Sequence, residues 1–372
     1  MTLHYMDGCE AYNDQSSFEQ KVQSLVVPRF AQFGTATIIT GRLQGKAVDI
    51  PISTTETEKF KFSLSPGSAL ISDFITDPMI LGLAIRIVTL PTGLISMPIM
   101  RAVASPNDPG CEVLLRMDGA GGTFRFDHYK GFFGVASPTL LVSSANDPFA
   151  LNTWVYLEIR MFCNDVTGTC DIRVNTSSIL TFGPGNNGPP AVDDDILVSQ
   201  QIFFTGTSGE VHIDDIYHLL DDGLGRTTYL GDSVVETLRP SSDGATTDWA
   251  PNTGTEHYLL VDEIGFDGDT TYVSTISVSD IELFNVADLV FVVGQIWGTS
   301  VTTSERLEGA GTREIQHVYR SPAPVLTNGP TLTVDSQSYE SHLTIWEQNP
   351  DTAANWTPAE IDAAQFGLEL TL

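Results

Sequence analysis

The residues best placed to do chemistry form one short run, Glu210-Val211-His212-Ile213-Asp214-Asp215. Side chains alternate faces along a strand, so Glu210, His212 and Asp214 would share one face. Glycoside hydrolysis needs two carboxylates across a cleft, one as acid and the other as nucleophile or base. Sandwich hydrolases set them on one strand as Glu-x-Asp-x-x-Glu. Here the position three after Asp214 is Tyr217, so the third carboxylate is missing. A polar sheet face is the simpler reading. No catalytic residue is assigned, and the chain is expected not to be an enzyme.

Other chemistries lack their signatures. No Gly-x-Ser-x-Gly, phosphate-cradling glycine loop or dinucleotide fingerprint occurs, and Gly119-Ala120-Gly121-Gly122 reads as a hairpin turn. The seven histidines (His4, His128, His212, His218, His257, His317 and His342) form no His-Glu-x-x-His and no spaced pair with cysteine. Asp193-Asp194-Asp195 and Asp267-Gly268-Asp269 offer hard oxygen ligands that suit calcium, but no bidentate glutamate follows at the helix-loop-helix spacing. Solvated acidic turns explain both, so calcium stays open as a cofactor and no metal ligand is assigned. Of Cys9, Cys111, Cys163 and Cys170, the last two flank the loop 164–169. A hairpin there makes a disulfide sterically possible, with reduced thiols the alternative. No Cys-x-x-Cys points to zinc.

The elements that would hold these residues read as strands. Of 372 residues 41% are hydrophobic and only 17% charged. Thr, Ser, Val, Ile, Gly and Pro dominate, which suits pleated strands and tight turns. Period-two alternation marks Trp154–Phe162, Cys170–Asn175, Gln201–Phe204 and Val211–Tyr217, and earlier Ala36–Ile39, Lys59–Leu64, Leu81–Leu90, Glu112–Arg116, Thr123–His128 and Phe132–Val135. Trp154, Leu157 or Tyr156, Ile159, Ile172, Val174 and Ile213 are the expected first core. Only one parity of the Trp154 strand can be buried unless both faces are covered.

Composition shifts at Leu220-Asp221-Asp222-Gly223-Leu224-Gly225, which places domains at 1–222 and 223–372. The second half reads as strands at Ser233–Leu238, Tyr258–Asp262, Tyr272–Ser277, Leu289–Trp297, Glu314–Tyr319 and Ser341–Glu347. The apolar run Leu289–Val293 is expected at the centre of a sheet. One helix is expected near the C-terminus, with Thr357 as N-cap, Pro358 first, Glu360 completing a capping box and Gly367 ending it. Phe18–Leu25 offers one further helical turn. The whole is expected to be all-β: a jelly-roll sandwich followed by a second β-rich sandwich.

Several segments carry a resemblance. Asp7-Gly8-Cys9-Glu10-Ala11-Tyr12, Asn152-Thr153-Trp154-Val155-Tyr156-Leu157-Glu158, Ile172-Arg173-Val174-Asn175 and Ile213-Asp214-Asp215-Ile216-Tyr217 resemble, in order, the concanavalin A-like, laminin-G-like sandwich of phage virion proteins. Tyr229-Leu230-Gly231-Asp232, Glu236–Gly244, Thr247-Asp248-Trp249, Asp262-Glu263, Asp267–Tyr272, Trp356-Thr357 and Gln365-Phe366-Gly367 resemble a block recurring in tailed-phage structural proteins. The resemblance implies a tail, fibre, baseplate or capsid-surface component located in the virion. Its partners would be copies of itself and other virion proteins. It supplies no catalytic set.

The alternative is a host-recognition adhesin that binds surface glycan, for which Trp249, Trp297, Trp346, Tyr258 and Tyr272 are candidate contacts. A glycan hydrolase ranks third. A net charge of −29 argues against nucleic-acid partners. Pro78–Met100 is broken by Arg86, Pro91 and Pro98, so no membrane insertion is expected, and the polar start offers no secretory signal.

Overall fold

The computed structural model describes residues 2–9, 30–33, 37–43, 45–51, 60–63, 78–105, 108–131, 138–188, 197–202, 209–220, 228–265, 267–291, 294–323 and 325–372. Expectations at Phe18–Leu25, Phe132–Val135, Asp193–Asp195 and the 221–227 junction lie outside them. Among the described residues the fold is all-β with one short α-helix. The chain forms two compact units, the first running to Val235 and the second from Glu236 to Leu372.

The first unit contains β1 (Thr2–Asp7), β2 (Phe30–Phe33), β3 (Thr37–Thr40), β4 (Lys46–Pro51), β5 (Phe60–Ser63), β6 (Met79–Thr89), β7 (Leu94–Ser105) and β8 (Asp108–Asp118). It continues with β9 (Thr123–Lys130), β10 (Thr139–Ser143), β11 (Val155–Phe162), β12 (Gly168–Val174), β13 (Ser177–Gly185), β14 (Leu197–Ile202) and β15 (Glu210–Leu220). They make two antiparallel sheets. One has the order β13-β12-β11-β6-β15-β4-β3, with β1 added along β15; the other is β10-β9-β8-β7-β14-β5-β2.

Register explains which residues are buried. Ile38, Val48, Ile213, Ile85 and Val155 stand side by side across five strands of the first sheet, an apolar row. Strand periodicity sends their neighbours to the opposite face. Over β11 that face is also covered, which is why Tyr156, Leu157 and Ile159 are all buried despite opposite parities. Ile172, Val174 and Ile213 are buried as expected, whereas Trp154 stays half-exposed.

The two sheets meet at an edge through Asn187, which is fully buried. Its carbonyl accepts from Asn164 N at 2.9 Å, and its amide donates to Phe162 O at 3.0 Å and to His128 Nε2 at 3.3 Å. His128 Nδ1 in turn donates to Glu112 O at 3.0 Å, and Phe182 packs against the ring at 5.3 Å. Both ring nitrogens are thus satisfied in the neutral form, and burial pushes the imidazole down to about 4. All four cysteines are free thiols; Cys170 pairs across the hairpin with Met161, not Cys163.

The second unit contains β16 (Pro240–Thr247), β17 (Ala250–Pro251), β18 (Val273–Ser274), β19 (Ile281–Val286), β20 (Thr299–Glu305), β21 (Arg313–Arg320), β22 (Leu326–Val334), β23 (Glu340–Trp346), helix α1 (Pro358–Asp362) and β24 (Gln365–Leu370). A five-stranded sheet, β16-β19-β24-β21-β22, is accompanied by the pairs β17-β18 and β20-β23. Tyr319, Trp356, Ile361, Ala364 and Phe366 form its larger apolar cluster, and Ile315, Val334 and Leu370 a smaller one. Buried His317 joins β21 to the β20-β23 pair through Thr303 Oγ1 at 2.6 Å and Thr344 Oγ1 at 2.7 Å. Burial, with His342 nearby, pushes it down to about 3.

Five local expectations for the second half change. Leu289–Phe291 is irregular and Val290 is 62% exposed, because Val290 N and Phe291 N donate to the Glu236 carboxylate at 2.8 and 3.1 Å rather than to a neighbouring strand. Ser233–Leu238 forms no strand, and Tyr258–Leu260 is a single 3-10 turn. The strand expected over Tyr272–Ser277 shrinks to β18. The helix begins as expected, with Thr357 and Glu360 forming the capping box, but it stops at Asp362. Gly367 lies inside β24 instead, opposite Leu283, where a Cβ would meet Glu282 O at 1.7 Å.

Candidate functional site

The opposite face of the first sheet is built from β-register. Thr37 pairs with Asp49, Asp49 with His212, and His212 with Arg86, so four polar side chains line up across β3, β4, β15 and β6. Trp154 extends the row, because the next residue, Val155, pairs with Ile85. Its indole lies 6.1 Å from the His212 ring. Two residues before His212, Glu210 returns to the same face.

Half of this face is closed and half is accessible. Over the closed half, residues 229–235 are laced to the sheet. Tyr229 OH donates to Asp171 Oδ2 at 2.7 Å, Leu230 N to Tyr217 OH at 3.2 Å, Gly231 N to Glu158 Oε1 at 2.8 Å and Val235 N to Asp215 Oδ1 at 2.9 Å. Arg42 bonds Asp215 Oδ2 at 3.0 Å, Ser233 O at 2.8 Å and the Asp232 carboxylate. This lacing is why the first unit reaches Val235, beyond the composition shift at 220–225. Beneath it, Tyr156 and Tyr217 stack at 6.2 Å, and Tyr217 fits because Gly82 has no side chain.

The Asp-Asp pair belongs to this closed half. Register shifts between Asp214 and Tyr217, and Asp215 adopts φ 47°, which marks a bulge that aspartate tolerates. Asp214 accepts from Arg42 N and Asp215 N, each at 2.8 Å. Burial and the adjacent Asp215 charge hold its carboxyl well above the usual range. Of the three residues expected on one face, Glu210 and His212 therefore meet, while Asp214 is committed to the network under residues 229–235.

The accessible half holds Asp49, Glu210, Arg86, Asn152 and Trp154 around a buried His212. Glu210 Oε1 and His212 Nε2 are 2.6 Å apart, and Asp49 Oδ1 is 3.7 Å from the same nitrogen. Thr37 Oγ1 donates to Asp49 Oδ2 at 3.1 Å, and Arg86 Nε to Asn152 Oδ1 at 2.8 Å. Burial, with the Glu210 charge adding, pushes the Asp49 carboxyl up despite Thr37 and His212. Asp49, Glu210 and His212 bring one donor atom each to within 4.8 Å of one another, the one such set of three among the described residues. Asp49 and Arg86 had no sequence signal: each sits in an ordinary strand pattern, and only register across strands distant in sequence reveals them.

Two of the other candidates pack into the clusters of the second unit. Trp249 donates through Nε1 to Asp280 O at 3.3 Å and packs on the smaller cluster; Trp346 packs on the larger. Tyr258, Tyr272 and Trp297 are half-buried. In the Asp267–Asp269 turn, Asp267 accepts from Thr271 Oγ1 at 2.7 Å and Asp269 pairs with Arg306 at 2.8 Å and Tyr339 OH at 2.8 Å. Asp267 thus braces its own loop, and Asp269 ties the turn to Arg306 and Tyr339. No described helix is long and apolar enough to cross a membrane.

No family model and no curated protein sequence matches the chain. Solved structures resemble it loosely. The alginate lyase vAL-1 from Chlorella virus is 12% identical, with 58% of this chain and 99% of that one covered at a TM-score of 0.41. The alginate lyase Aly36B in complex with alginate trisaccharide is 11% identical, covering 57% and 96% at 0.38. The CBM2 module of the evolved Dit of Lactobacillus casei BL23 phage J-1 is 10% identical, covering 58% and 88% at 0.33. With TM-scores below 0.5, none of these transfers a function.

Proposed function

We propose that the chain is a non-enzymatic component of a bacteriophage particle, and that its first unit binds host-surface glycan through the accessible half of the polar sheet face. The observation that supports this is the row Asp49, His212, Arg86 and Trp154, with Glu210 and Asn152 beside it. A half-exposed indole offers an apolar face to sugar C–H groups, and the carboxylates, guanidinium and amide offer partners for hydroxyls. All but Asn152 and Trp154 stand on paired strands, which pre-organises the contacts. The virion setting rests on the sequence resemblance. Docking to other particle proteins, and to copies of the same chain, belongs to that reading.

Binding rather than turnover is favoured because Asp214, the second acid of the hydrolase pattern, is held by Arg42 N and Asp215 N. Titration calorimetry against a panel of soluble oligosaccharides tests the reading. Trp154→Ala should weaken binding at least tenfold while leaving the melting temperature near that of the unaltered chain. Absence of binding to every saccharide, or an unchanged affinity in Trp154→Ala, would remove the glycan face. Bond cleavage that disappears in Glu210→Gln would make the protein an enzyme.

A further inference from the structure

We infer that Asp49, Glu210 and His212 hold a divalent transition-metal ion, of the class of Mn2+ or Zn2+, on the sheet face. The three donors come from adjacent strands in fixed register, Asp49 directly opposite His212 and Glu210 two residues away. Their donor atoms lie within 4.8 Å of one another. Ligands around one ion stand about 3.4 Å apart in a tetrahedron of about 2.1 Å bonds, so side-chain rotations alone can close the set.

Without an ion the cluster is poorly satisfied. The His212 side chain is only 9% exposed and presents Nε2 to both carboxylates. Asp49 Oδ1 is buried with no hydrogen-bond partner, although it faces that nitrogen. Among the described residues, no lysine or arginine pairs with Asp49 or Glu210. Two carboxylates therefore converge with a single imidazole between them, and a cation removes their repulsion. Thr37 Oγ1 holds the outer oxygen of Asp49, as outer-shell donors do for metal-ligating carboxylates.

The donor types choose the ion. Calcium and magnesium take oxygen ligands, and an imidazole nitrogen disfavours both. One nitrogen and two carboxylates suit manganese or zinc and leave coordination positions for water or a ligand hydroxyl. The inference is independent of the glycan reading, because the metal ion alone is the probe.

Loss of the free Mn2+ electron paramagnetic resonance signal, titrated with the full chain, measures the site. The unaltered protein should take up about one Mn2+ per chain. Asp49→Asn and His212→Gln should each weaken uptake at least tenfold. Asp288→Asn, an exposed change of the same charge in the second unit, should not. Zn2+ should displace Mn2+, and a tenfold excess of Ca2+ should not. Absence of stoichiometric uptake, an equal effect of Asp49→Asn and Asp288→Asn, or displacement by Ca2+ as readily as by Zn2+ would overturn the site. A second readout needs no ligand variant. In the unaltered chain, Mn2+ should selectively broaden the Trp154 indole resonance, which Trp154→Phe assigns. A sharp Trp154 signal at saturating Mn2+ would also defeat the proposal.

Discussion

The two units reach stability by different means. In the first, strands of up to twelve residues put Leu83, Ile85, Val113, Leu115, Leu157 and Ile159 in apolar rows. The polar residues of its first sheet gather largely on the opposite face, where Glu158, Asp214 and Asp215 are sealed under residues 229–235. In the second, strands are shorter, many side chains are only half-buried, and the apolar clusters centre on Tyr319 and on Ile315. Polar groups take interior roles there. Glu282, 1% exposed, accepts from Trp249 N at 3.0 Å and pairs with His257 Nδ1 at 2.8 Å. The contrast teaches that the same period-two pattern can build a core from apolar burial or from side-chain stitching, depending on strand length.

That contrast can be broken at the second unit first. Trp356 packs edge-on to Tyr319 at 5.1 Å and donates to Trp346 O at 2.9 Å. Trp356→Ala should cost about 4 kcal/mol, measured by chemical denaturation with a probe in the second unit. A loss below about 1 kcal/mol would mean that this cluster is not its core.

The corresponding test of the first unit is Gly82→Ala. The added Cβ would stand 2.1 Å from the Tyr217 ring and force it off Glu158. A destabilisation of about 3 kcal/mol is expected, with residues 229–235 becoming protease-sensitive. Retained protease resistance would show that the tyrosine does not anchor that cover.

Acid should act on both units, in different windows. Unfolded histidine takes its proton near 6.5, whereas folded His128 takes it only at about 4. Its stabilising effect is therefore full above pH 6.5 and is lost as pH falls to 4, a loss of about 3 kcal/mol. His317 in the second unit extends the same loss to about pH 3. His342, raised by the Glu305 carboxylate against its burial, has the opposite sign. Its contribution is full below pH 6.5 and fades above its raised value, so it leaves the acid window unchanged. Denaturation curves between pH 3 and 7 check this, and His128→Gln should flatten only the first unit's dependence.

The smallest expected effect is at the helix cap. Thr357 Oγ1 accepts from Glu360 N at 3.3 Å, and the Glu360 carboxylate accepts from Thr357 N at 2.8 Å. Thr357→Ala should cost about 1 kcal/mol. A neutral result would place the helix under the control of Trp356 and Ile361 packing alone.

By itself the sequence determined the all-β class, the positions of most long strands in the first unit, and the capping box at Thr357–Glu360. These follow from local rules: alternation of side-chain faces, turn chemistry and reciprocal backbone caps. It also put Glu210 and His212 on one face, since two residues apart on a strand admits no other outcome. Only the tertiary structure decided the rest. Asp49 and Arg86 flank His212 through pairings across more than a hundred residues, and no local pattern encodes which strand lies next to which. Asp214 left the set because a bulge at Asp215 and the cover of residues 229–235 claimed its carboxylate. Leu289–Val293 looked like a central strand because it is apolar, yet Glu236 captured two of its amides. Gly367 looked like a helix stop, yet the close approach of Glu282 O required a glycine inside a strand. In each case the local signal was real, and a distant hydrogen-bond partner or packing neighbour overrode it.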